Sequence, residues 1–168
     1  MKFANIFLGA NVEIDPTATF NNVVIGDNVK IAKQCTLFGS AEFPLEIQND
    51  SYIGMNTTIN GYHARVTIGD HVSIAQHVNI MADSGPNASA PMQRIFPIIK
   101  GEIFIGNHSW IGANVVIMPG VRLGKFCVVG ANSFVNKSFS DYSVIGGSPA
   151  KIIRRLTDAE IEILTNHD

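Results

Sequence analysis

The chain has 168 residues, 46% hydrophobic and only 15% charged, with a net charge of −2. That is enough apolar material for one packed domain and too much for a disordered segment. No uncharged apolar run approaches the roughly 18 residues a spanning helix needs, and the basic residues are scattered, so neither membrane insertion nor a nucleic-acid surface is expected.

In chain order, large apolar residues recur every six positions: Leu8, Ile14 and Phe20; Ile25, Ile31 and Leu37; Ile47, Ile53 and Ile59; Ile68, Ile74 and Ile80. After a gap the period resumes without interruption as Ile105, Ile111, Ile117, Leu123, Val129 and Val135. Six residues make only a short strand and a corner, so each unit can bury its lead residue only by stacking on the next turn. Three strands per eighteen-residue turn predict a parallel β-helix, with Ile105 beside Leu123, Ile111 beside Val129 and Ile117 beside Val135. Four residues after most leads comes a small or β-branched residue, among them Ser109, Val115, Val121, Cys127 and Ser133, which predicts a second inward slot. Cys35 and Cys127 both fall in it, so both read as structural. They make no disulfide framework. With Glu13 and Asp15 soon after the start, no signal peptide is read and a cytoplasmic setting is expected.

The period fails at one corner only, between the third strand of one turn and the first of the next. Insertions in solenoids gather where they are sterically free and often functional, so the chemistry is expected along this corner. The longest insertion, placed at 82–102, carries Asp83, Ser84, Met92, Ile95 and Phe96. It reads as an arm packing on a neighbouring subunit. His63, flanked by Tyr62 and Arg65, lies in a shorter insertion one turn earlier. His71, His77 and His108 fall at outward positions and read chiefly as solvated corner residues; His167 reads as an inert tail residue. Trp110 occupies an outward position, as interface or ligand-facing tryptophans do. Near Ser143 the chain leaves the pattern. The β-helix is expected over 1–142 and an extension over 143–168, where Thr157-Asp158-Ala159-Glu160 spells a capping box for a short helix closing the open end of the prism.

The run from Ile105 to Val121, Val129-Gly-Ala-Asn-Ser133, and Gly147-Ser-Pro-Ala-Lys-Ile-Ile-Arg154 resemble the hexapeptide-repeat acyltransferases. The likeness is to the galactoside and maltose acetyltransferases and polysaccharide O-acetyltransferases in particular. It implies an all-β, left-handed parallel β-helix that forms a homotrimer and binds acetyl-CoA, without a metal, in grooves between neighbouring subunits. Carried over residue by residue, Trp110 would wall the acyl and pantetheine channel. Ala113 and Ala131 would offer backbone groups to the pantetheine amides, Asn136 and Lys137 would lie further along, and Lys151 and Arg154 would sit near the phosphates. Met55, Tyr62 and Ser84 would contact the acceptor.

One position departs from the family. Relatives carry a histidine base early in the long insertion, and the equivalent residue here is Gly85. Either His63 replaces it, oriented by Asp83, in transfer to a sugar hydroxyl, or the acceptor is a nucleotide-linked amino sugar whose amine attacks without a histidine base. A weak or inactive relative is a third reading. A γ-carbonic-anhydrase-like zinc enzyme and a purely structural trimer are the remaining alternatives.

Overall fold

A computed structural model describes residues 5–166. The chain winds as a three-faced prism of six coils, each contributing one strand per face. Coil one holds β1 (Ile6–Leu8), β2 (Glu13–Ile14) and β3 (Thr19–Asn21); coil two β4 (Val23–Ile25), β5 (Lys30–Ile31) and β6 (Thr36–Phe38). Coil three holds β7 (Leu45–Ile47), β8 (Tyr52–Ile53) and β9 (Thr58–Asn60); coil four β10 (Val66–Ile68), β11 (Ser73–Ile74) and β12 (Asn79–Met81). The long insertion follows, with β13 (Asp83–Ser84), α1 (Ala90–Gln93) and β14 (Ile99–Lys100). Coil five holds β15 (Ile103–Ile105), β16 (Trp110–Ile111) and β17 (Val116–Ile117); coil six β18 (Arg122–Leu123), β19 (Val128–Val129) and β20 (Phe134–Val135). The three parallel sheets are those of the left-handed β-helix, and the registers Ile105↔Leu123, Ile111↔Val129 and Ile117↔Val135 are those the period predicts.

The interior follows from two inward positions per hexad. Every lead residue of coils two to six is at most 3% exposed, and each such side chain contributes roughly 1.5–3 kcal/mol. The second slot holds Val29, Cys35, Ser51, Thr57, Val72, Val78, Ser109, Val115, Val121, Cys127 and Ser133, all buried. Its hydroxyls are not orphaned. Ser51 Oγ donates to the Gly69 carbonyl at 2.9 Å and accepts from Val72 N at 3.0 Å, and Ser109 repeats the pattern with Gly124 and Cys127 N, both at 3.1 Å. A small polar residue here links one coil to the next, which offsets its desolvation.

Corners are made by the residue three after the lead, which adopts a left-handed conformation: Asn28, Gln34, Asp50, Asn56, His71, His77, His108, Asn114, Phe126 and Asn132 all have φ between 54° and 59°. Asparagine tolerates this conformation better than other non-glycine residues, which accounts for its recurrence. Two of the corner histidines, His71 and His108, are not simply solvated; His77 is exposed. His71 stacks on His108 at 4.8 Å between ring centroids, His108 on Phe126 at 4.6 Å, and Phe126 on Tyr142 at 5.5 Å, with Asp50 3.8 Å below His71.

After coil six, Phe139 bridges to Leu123, and β21 (Ser143–Gly146) extends the second face. β22 (Lys151–Arg155) then returns antiparallel on β21, and the backbone of residues 147–150 pairs with Phe134. α2 (Asp158–Thr165) starts with the capping box its sequence spells, Thr157 and Glu160 bonding reciprocally. It buries none of its residues, and Ile163 is 63% exposed, so the helix does not plug the prism as expected. The turn at 147–150 lies over the third face instead. His167 lies outside the described residues, and no described helix is long and apolar enough to cross a membrane.

Candidate active site

All three insertions, residues 39–44, 61–65 and 82–102, leave the prism at the corner between the third and first faces. Asn60 closes β9 there, and organises the corner through both ends of its amide. Its Oδ1 accepts from Tyr62 N at 2.9 Å and its Nδ2 donates to Asp83 Oδ2 at 3.3 Å. Asp83, half-buried, is thus fixed by a residue of the coil below. β13 and β14 form an antiparallel ribbon at the root of the arm, with Asp83 opposite Lys100 and Ser84 opposite Ile99. Successive strand residues face opposite sides, so Asp83 and Ser84 serve different surfaces.

His63 and Tyr62 are exposed and meet edge to face at 4.9 Å between centroids. With Ser40, Ala41, Glu42, Phe43 and Lys100 they line an open depression of about 580 Å³. Among the described residues no hydrogen bond joins His63 to Asp83, so the orienting contact expected for a His63 base is absent from this arrangement. Met55 lies elsewhere, on the second face, in a depression with Lys30, Lys33 and Tyr52. The arm carries α1 between its two strands, with N-cap Ser89 accepting from Met92 N, and the arm residues Met92, Ile95 and Phe96 are all exposed in the single chain.

The residues expected along an acyl donor form a row on the second face. Trp110 pairs in register with Val128, Val128 with Val144, and Val144 with Arg154. The indole faces outward and is 58% exposed. Next to this row, Gly112 lets two coils approach closely: a Cβ there would stand 2.7 Å from Ala131 N and from the Val129 carbonyl. The Ala113 carbonyl is taken by Asn132 N at 2.9 Å, whereas nothing described hydrogen-bonds the exposed Ala131 backbone. Asn136 and Lys137 are exposed beyond β20, with Lys137 Nζ 5.5 Å from the Phe139 ring centroid.

Arg154 is engaged within the chain. Its guanidinium grips Glu160 with two bonds of 2.7 and 2.9 Å, and Thr157 N adds a third at 2.8 Å to the same carboxylate. The arginine first, then the backbone donor, hold the Glu160 pKa down at about 2. Lys151 and Arg155 have no such partner among the described residues and are the cations left open on β22. Sequence spacing did not mark Asn60 or Lys100. Asn60 follows a lead residue directly, as many solvent-facing residues do, and Lys100 sits in an insertion without period.

The family described as bacterial transferase hexapeptide (six repeats) matches residues 102–137. Over 165 residues the chain is 32% identical to the dTDP-4-amino-4,6-dideoxy-D-glucose acyltransferase of Escherichia coli, covering 93% of this chain and 85% of that protein. It is 35% identical over 116 residues to the galactoside O-acetyltransferase of Escherichia coli K12, covering 69% of this chain and 56% of that protein. Among solved structures it superposes with a TM-score of 0.81 and 26% identity on a variant of AntD, an N-acyltransferase from Bacillus cereus, in complex with dTDP-4-amino-4,6-dideoxyglucose and coenzyme A. That match covers 95% of this chain and 88% of the other. With a curated relative 32% identical along nearly the whole length and the repeat family matched within it, the chain belongs to the hexapeptide-repeat acyltransferases, enzymes that take an acyl group from a coenzyme A thioester.

Proposed function

We propose that this enzyme acylates the amino group of a nucleotide-linked amino sugar, working as a trimer in the cytoplasm with acetyl-CoA as donor. One observation carries the choice of an amine. At the corner where relatives place a histidine base, this chain presents Asp83, fixed by Asn60, and no histidine occurs from Asp83 to Pro97. A sugar hydroxyl needs its proton removed as it attacks. An amine, with an ordinary pKa near 8, needs only to lose the proton of its ammonium form beforehand. A positioned carboxylate suits that task, binding the ammonium and accepting its proton.

The neutral nitrogen then attacks the thioester carbonyl, the carbon–sulfur bond breaks, and coenzyme A leaves as a thiol carrying the proton the new amide gives up. Trp110 would flank the acyl end and the Ala131 backbone a pantetheine amide, while Lys151 and Arg155 would meet the phosphates. The exposed Met92, Ile95 and Phe96 of the arm would pack on the neighbouring subunit. The full-length similarity to an amino-sugar acyltransferase supports the same acceptor class. Transfer to a hydroxyl through His63 is the second reading, favoured by that residue's place in the same corner depression. Measuring kcat of His63→Ala at saturating amino and hydroxyl acceptors separates the two: retained kcat on the amine supports the proposal, and loss of kcat on both supports His63 as base.

A further inference from the structure

We infer that the corner depression lined by Lys100, His63 and Tyr62 is the seat of the acceptor's phosphate-bearing half, with Lys100 as its principal anion ligand. This rests on the amino-sugar reading above and adds to it the part of the substrate that lies beyond the sugar.

The argument starts from the ribbon at the root of the arm. Asp83 and Lys100 are cross-strand partners, so their Cα atoms lie about 4.5–5.5 Å apart and their side chains leave the same side of the ribbon. Opposite charges so placed would ordinarily pair. Here they do not: Asp83 is held by Asn60, and Lys100 lines the depression with Tyr62 and His63. A carboxylate and an ammonium are therefore kept apart beside one another. A sugar that carries an amine across the ring from its anomeric phosphate is a dipole of the complementary sense, cationic at one end and anionic at the other.

The surroundings fit a nucleoside diphosphate. Lysine meets phosphate as a mobile point charge on a four-carbon stem, imidazole adds a donor, and the exposed Tyr62 ring offers a face to a base. A volume of about 580 Å³ lies within the roughly 300–1,000 Å³ of ordinary ligand sites. Glu42 on the rim is the one group of the wrong sign, and its presence gives the inference a second handle.

The test uses the full-length enzyme, dTDP as probe, and three acceptors: dTDP-4-amino-4,6-dideoxyglucose, its phosphate-free methyl glycoside at high concentration, and a simple hydroxyl sugar. Lys100→Gln is expected to weaken dTDP binding and raise KM for the nucleotide sugar roughly 10- to 100-fold. It should leave KM for acetyl-CoA unchanged and reduce the slow turnover of the methyl glycoside far less than that of the nucleotide sugar. Glu42→Gln is expected to lower KM for the nucleotide sugar a few-fold. Equal loss on both amino acceptors, or dTDP binding untouched by Lys100→Gln, would overturn the inference. Acylation of the hydroxyl sugar but neither amine would instead overturn the amino-sugar reading, so the two failures are distinct.

Discussion

In the proposed mechanism, Asp83 is the residue on which proton transfer turns. Asp83→Asn keeps the hydrogen-bond acceptor toward Asn60 and removes the charge, so kcat for an amino acceptor is expected to fall roughly 100-fold or more, with KM for acetyl-CoA unchanged. Steady-state kinetics on both substrates checks the split. Glu160 gives a second residue-scale expectation, in pH. Its folded pKa is depressed, so what it contributes is present above the ordinary carboxylate range and is lost as pH falls through about 2. The protection of α2 amides against exchange, relative to unstructured chain at the same pH, should therefore fall below about pH 4 while that of the prism strands does not, and Glu160→Gln should lower it already at neutral pH. Roles at this scale were the least legible in the sequence. The missing loop histidine could be seen from Gly85, but what stands in its place depends on Asn60 reaching up one coil, a contact between residues 23 apart. The family resemblance places Arg154 near the phosphates, and only the structure shows its guanidinium held by Glu160.

Strands and corners, by contrast, were almost fully spelled out. A period of six admits one architecture, since neither a helix nor a hairpin would place residues 105, 111 and 117 on successive faces of one core. The inward slot explains the cysteines: burial raises the pKa of both thiols, Cys35 and Cys127. Both are expected to stay unreactive toward a thiol reagent at pH 8 in the native protein and to react at once in denaturant. Cys127→Ser should be tolerated, because Ser109 holds the equivalent slot one coil earlier and Ser133 that of the next hexad, and both hydroxyls accept backbone hydrogen bonds from a following turn. Cys127→Leu should destabilise by about 1–3 kcal/mol through overpacking, measured by chemical denaturation. What the period could not give were the stacked corner rings and the small helix α1. Corner residues face solvent in any register, and the arm has no repeat to read.

At the scale of the whole molecule, the proposed site is divided between two faces of one chain. The corner with Asp83, Lys100 and His63 and the row with Trp110 and Ala131 belong to different faces of the prism, and the apolar arm is left without cover. A trimer placing the corner of one subunit against the row of the next would complete both. Light scattering on the purified protein should then give three times the 18.2 kDa of a single chain, and polar substitutions at Ile95 and Phe96 should lower both assembly and turnover. The low charge of the sequence fits such an assembly, because flank as well as core is then covered. The central claim is the choice of amine over hydroxyl, and one competition assay tests it most directly. The enzyme is given acetyl-CoA with equal amounts of dTDP-4-amino-4,6-dideoxyglucose and its 4-hydroxy counterpart, and the products are resolved by mass spectrometry. The account predicts the amide almost alone, whereas a product that is predominantly the ester would contradict it.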